Sequence, residues 1–128
     1  MVTKIARKNF INWNKALKTK DPKKVAVLYS KDAALLPTLS PEFKTKPCGI
    51  KEYFEHFLKK NPVGKIVVSK VQVLGSKSYL HSGLYNFEVG SKGAREIIKA
   101  RFSFIWKQNR KGEWKIVHHH SSLKPESA

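Results

Sequence analysis

The chain has 128 residues, 41% of them hydrophobic, and a formal net charge of +17 from 26 Lys and Arg against 9 Asp and Glu. That length suits a single domain, residues 1–128, with a real core. It contains no apolar run long enough for a transmembrane helix, no apolar stretch after the basic N-terminus that would make a signal peptide, and a lone Cys48 that cannot form an internal disulfide. Cytoplasmic residence is therefore the default. Lysine is spread along the whole chain, and no recognition helix, zinc finger or ribonucleoprotein motif accompanies it. The charge reads as a solvated coat, with neither nucleic acid nor a membrane as an expected partner.

In chain order, Ala6, Phe10, Trp13 and Leu17 form one apolar stripe at helical spacing, predicting a helix over about residues 3–19. Asp21 and Pro22 then supply an N-cap and a first helical position for a second, short helix over about 22–30, burying Val25, Leu28 and Tyr29. A brief apolar strand, 33–36, ends at Pro37, and a proline-rich loop follows to Gly49. Ile50, Tyr53, Phe54, Phe57 and Leu58 predict a third helix over about 49–60.

After Asn61-Pro62-Val63-Gly64 the pattern changes to alternation. Residues 65–74 predict a strand with Val67, Val71 and Val73 on one face. Residues 78–89 predict its return, with Tyr79, His81, Tyr85 and Phe87 sharing a parity. A long strand over 97–106 directs Ile98, Phe102, Phe104 and Trp106 to one side and Ile97, Arg101 and Ile105 to the other. A polar turn ending in Gly112 leads to a last strand over 113–121. Strict alternation there groups Trp114, Ile116, His118 and His120 against Lys115, Val117, His119 and Ser121. Both faces of this hairpin carry large apolar groups, so helices should cover one and a second sheet or subunit the other. The fold class is α+β: three N-terminal helices packed in a curved, mainly antiparallel sheet.

Trp13-Asn14, Asp21-Pro22, Leu28-Tyr29, Asp32-Ala33, the run 35–38, Tyr53-Phe54, Ala100-Arg101-Phe102 and the terminal Trp114-Lys-Ile-Val-His-His-His-Ser-Ser122 resemble the nuclear-transport-factor-two-like superfamily. The resemblance is to its branch related to the calcium/calmodulin-dependent kinase II association domain (SgcJ/EcaC-type, SnoaL-like), over about residues 5–122. It implies a cone-shaped, cystatin-like roll with a pocket at the open end. It also implies a homodimer or larger homo-oligomer through the outer sheet face. The superfamily includes isomerases, cyclases, dehydratases and non-catalytic association domains, so it does not imply one activity. Of the association domain's pocket arginines, the resemblance retains only Arg101; Tyr85 and Glu52 stand at the other positions.

Within that pocket the expected ligand-binding residues are Trp13, Tyr29, Tyr53, Phe57, Tyr85, Arg101, His118 and His120. Arg101, set between Ala100 and Phe102, needs a carboxylate from the protein or from an acidic ligand if it is buried. His118 and His120 share a face but form an incomplete metal site, and no metal or cofactor is expected. Four functions stay open: a pocket domain binding a small, acidic organic ligand; an isomerase, cyclase or dehydratase with His118 or His120 as general base; a non-catalytic association module; and a polyanion binder exploiting the +17 charge.

Overall fold

The computed structural model describes residues 1–126, so the expected domain of 1–128 extends two residues beyond it. The elements run α1 (Val2–Lys18), α2 (Pro22–Ala26), β1 (Tyr29–Leu36), α3 (Pro47–Phe57), a 3-10 turn (Leu58–Lys60), β2 (Val63–Gly75), β3 (Ser78–Val89), β4 (Glu96–Gln108) and β5 (Trp114–Leu123). The five strands form one sheet in the order β1-β5-β4-β3-β2, antiparallel except for the parallel β1–β5 pair. No helix among the described residues is long and apolar enough to cross a membrane.

The apolar stripe of α1 is buried as its spacing predicts, with Asn9 added where its amide donates to the Tyr79 hydroxyl at 2.8 Å. Asn14 clamps α1 to β2 through two bonds of 2.9 Å, one to the Gly64 carbonyl and one from the Gly64 amide. Asp21 caps α2 by accepting from the Lys23 amide. The second helix nevertheless ends at Ala26, and Tyr29 opens β1. The Ile116 amide of β5 donates to the Leu28 carbonyl at 2.7 Å, and pairing with β5 captures the segment that helical spacing had claimed.

Helices cover the inner face of the sheet. Trp13 packs on Tyr85, Phe87 and Phe104, and α3 adds Phe54 against Tyr29 and Phe57 against Phe87. On β3 and β4 the alternation holds: Tyr79, His81, Tyr85, Phe87, Ala100, Phe102, Phe104 and Trp106 are all buried. The outer face, which includes Leu80, Leu84, Arg101 and Ile105, has no helix or further strand of the described residues over it.

Two bulges break the alternation elsewhere. In β2 the register steps between Ile66 and Val68, so Val67 is the extra residue and does not share a face with Val71 and Val73. In β5, Ile116 faces Trp106 while His118 faces Ile105, so Val117 is extra and every side chain beyond it changes face.

At Gly83 a Cβ would stand 2.1 Å from the Val68 carbonyl oxygen, beside the β2 bulge. Gly83→Ala must separate β2 from β3 and is expected to cost about 1–3 kcal/mol. Urea unfolding should show a lower midpoint; an unchanged midpoint would mean that β2 does not approach this closely.

Candidate functional site

The β5 bulge turns His119 and Ser121 into the cone and sends His118 and His120 to the outer face. His119 is 3% exposed and Ser121 6%, whereas His118 is half-buried and His120 exposed. The sequence reading had these faces inverted, because strict alternation continues only through an unbulged strand.

The His119 ring stacks on Phe104 at 4.0 Å and meets the edge of Trp13 at 5.6 Å. Tyr29 lies 2.8 Å from its Nδ1 and Tyr85 3.2 Å from its Nε2, through their hydroxyls. The Trp13 indole, a donor only, gives its N–H to the Tyr29 hydroxyl at 3.2 Å. Tyr29 therefore satisfies its own hydrogen by donating to Nδ1, which leaves Nε2–H to donate to Tyr85. The Tyr85 hydroxyl continues to Ser121 at 2.5 Å, and Ser121 meets Thr38 from the loop after β1. This assignment satisfies every hydroxyl hydrogen from Tyr29 to Ser121 with a neutral imidazole.

Burial sets the electrostatics. It holds His119 down to about 3, helped by the charges of His118 and His120. Burial also pushes the Tyr29, Tyr53 and Tyr85 phenols well above their usual range. The interior thus holds neutral donors and acceptors. Beside it is a gap of only about 10 Å³, walled by Trp13, Tyr53, Phe57, Tyr85, His119 and Ser121 among others and bordered by no Asp or Glu. A space of that size has room for about one water molecule.

Five of the eight expected site residues, Trp13, Tyr29, Tyr53, Phe57 and Tyr85, come together in this interior. Arg101 does not: it is exposed on the outer face, opposite Leu84 and Ser122, because β4 keeps its alternation and Phe102 takes the inward position. Glu52 is exposed on α3, so it does not join Tyr85 in a pocket either. His119, Ser121 and Thr38 escaped sequence reasoning. Three successive histidines show that at least one points inward, but only the pairing with β4 says which. Among the described residues no group of three or more His, Cys, Asp or Glu side chains is arranged to hold a metal.

Helices wrapped by a curved five-stranded sheet around an aromatic interior make the nuclear-transport-factor-two-like, cystatin-like roll. Within that class the chain belongs to the calcium/calmodulin-dependent protein kinase II association domain family, whose model matches residues 5–125. A Xanthomonas campestris structure described as such an association domain is 40% identical, with a TM-score of 0.88 over 92% of this chain and 84% of its own. The kinase II hub homology domain of Chlamydomonas reinhardtii shares the fold at 13% identity, with a TM-score of 0.78 over 98% of this chain and 100% of its own. A Streptomyces avermitilis protein described as a dehydratase of the nuclear-transport-factor-two-like family also shares it, at 13% identity and a TM-score of 0.79 over 94% of each chain. No curated protein matches the chain.

An unfolded histidine titrates near 6.5 and His119 near 3, so between these pH values the unfolded chain binds the extra proton. Stability is full above the unfolded value and is lost as pH falls toward the folded one; buried His81, also held low by burial, adds the same sign. Denaturation midpoints should drop from about pH 7 to pH 4. His119→Gln, which keeps one donor and one acceptor, should flatten the slope, and an unaltered slope would contradict the burial of a neutral imidazole. Tyr29→Phe strips both Trp13 Nε1 and His119 Nδ1 of a partner and should cost about 1–3 kcal/mol in the same assay.

Proposed function

We propose that the protein is a homo-oligomeric association module whose subunits meet through the outer face of the sheet, its interior serving as core and not as a reaction chamber. The observation that carries this reading is the uncovered outer face. Across β3, β4 and β5 it presents Leu80, Ile105 and His118 in one row, Ser82, Ser103 and His120 in the next, and Leu84, Arg101 and Ser122 in a third. Ala34 and Leu36 extend the first two rows onto β1. Short polar side chains between aliphatic ones make a surface that a second copy can match row for row about a two-fold axis.

The state of the interior supports the same reading. A general base works best with a pKa near the operating pH. His119, held by burial down to about 3, lies far below neutral pH and has no carboxylate beside it in the gap. His118 and His120, the alternative bases, face outward.

A ligand-binding role is the second reading, favoured by the hydroxyl-lined gap beside Tyr53 and by relatives described as dehydratases and ketosteroid isomerase-like. With Arg101 outside, a neutral hydrogen-bonding molecule fits the interior chemistry better than an acid.

Self-association has to overcome repulsion between two chains of +17 each, so salt should strengthen it by screening. Analytical ultracentrifugation is expected to give a dimer or larger species whose dissociation constant falls between about 50 and 500 mM NaCl. Leu84→Glu with Ile105→Glu should weaken association by about a hundredfold or more while circular dichroism stays unchanged. A wild-type species of 14.6 kDa at micromolar concentration throughout would overturn the proposal.

A further inference from the structure

Outside the cone's interior, a groove of about 1050 Å³ runs between α2 with the start of β1, the first turns of α3, and the β4–β5 turn. Its floor is apolar, made by Ala26, Val27 and Val117 with Pro47 at one end, and Val27 is 59% exposed. Val117 reaches it as the extra residue of the β5 bulge.

The rim is cationic. Lys23 and Lys31 stand on the α2–β1 side and Lys51 on α3, while Lys107, Arg110, Lys111 and Lys115 come from the β4–β5 hairpin. Basic residues make up 7 of the 18 that line the groove, against 26 of 128 in the whole chain. Two acids, Asp32 and Glu113, also line it and offset part of this charge. The Glu113 carboxyl is held low by the Asn109 amide and by Lys115 and Lys111, while Lys51 pairs with Glu55 at 3.7 Å. Glu113 accepts from the Asn109 amide at 3.1 Å, and no carboxylate lies within ion-pair distance of Lys23, Lys31, Lys107, Arg110 or Lys111 among the described residues.

Three kinds of occupant can be compared by chemistry. Single-stranded nucleic acid needs exposed aromatic faces for its bases. The only aromatic residue here is Tyr29, which is buried with its hydroxyl committed to His119 and Trp13. A second copy of this chain, at +17, is repelled from a cationic rim. A segment alternating apolar and acidic side chains matches both parts of the groove, its apolar groups on Val27 and Val117 and its carboxylates on the rim.

We propose that this groove docks an acidic, amphipathic peptide segment of a partner protein. The groove adjoins the end of the sheet face proposed for self-association, with Lys107 and Lys115 common to both, and its test reads peptide binding whatever the oligomeric state.

The probe is a short fluorescent peptide alternating Glu and Leu, compared by anisotropy at near-physiological salt with oligoglutamate and with oligothymidylate of equal charge. The alternating peptide should bind at least about tenfold more tightly than either comparator. Arg110→Glu with Lys111→Glu should weaken it about tenfold or more, and Val27→Asp should weaken it without altering the circular dichroism spectrum. Lys59→Glu with Lys60→Glu, on the 3-10 turn away from the groove, is the control for general charge and should have little effect. Binding that is absent, equally sensitive to the Lys59/Lys60 pair, or exceeded by oligothymidylate would overturn the proposal.

Discussion

A neutral imidazole held between two tyrosine hydroxyls is the contact on which the interior of this protein depends. His119 joins Tyr29 of β1 and Tyr85 of β3, while Trp13 of α1 secures Tyr29 and Ser121 carries the chain of bonds to Thr38. Each of these polar atoms lies in an aromatic core where an unpaired donor or acceptor is costly. The network therefore ties a helix, three strands and a loop to one arrangement, and all of it requires that His119 carry no proton beyond the one on Nε2. An imidazolium would donate from both nitrogens and set Nδ1–H against the hydrogen that Tyr29 points at it.

The groups in this interior bear on the chemistry that the fold can host. Relatives with this cone include proteins described as dehydratases and ketosteroid isomerase-like, and activity in such folds belongs to the groups set in the cavity. Here those groups are neutral phenols, hydroxyls and an imidazole of low basicity around a gap of about 10 Å³. Arg101, the residue expected to answer an acidic ligand, is exposed on the other side of the sheet.

Charge organises the exterior as hydrogen bonds organise the interior. Only two ion pairs form among the described residues, Lys44–Glu42 and Lys51–Glu55, so most of the basic side chains are left to solvent or to a partner. The outer sheet face carries Lys65 and Lys70 on β2, Lys99, Arg101 and Lys107 on β4 and Lys115 on β5, and the groove beside α2, which gathers seven basic residues, shares Lys107 and Lys115 with it. The two adjoining surfaces still differ in apolar content: aliphatic rows cross the outer face, whereas the groove sets Ala26, Val27 and Val117 among its basic side chains.

Composition and periodicity determined a great deal by themselves. The stripe from Ala6 to Leu17, the cap at Asp21, the third helix and the inward parity of Tyr79, Tyr85, Phe87, Phe102 and Phe104 follow from local spacing, since helical and extended backbones repeat with fixed periods. The same spacing brought Trp13, Tyr29, Tyr53, Phe57 and Tyr85 to the interior. Tertiary structure alone decided the rest. Val25, Leu28 and Tyr29 fit a helical stripe, yet pairing with β5 drew Tyr29 into β1. Val117 looks like any strand residue, and only the opposition of Ile116 to Trp106 and of His118 to Ile105 makes it a bulge. That single inserted residue selects His119 over its two neighbours for the core, because a strand's faces are set by register with its partner and register is a non-local property.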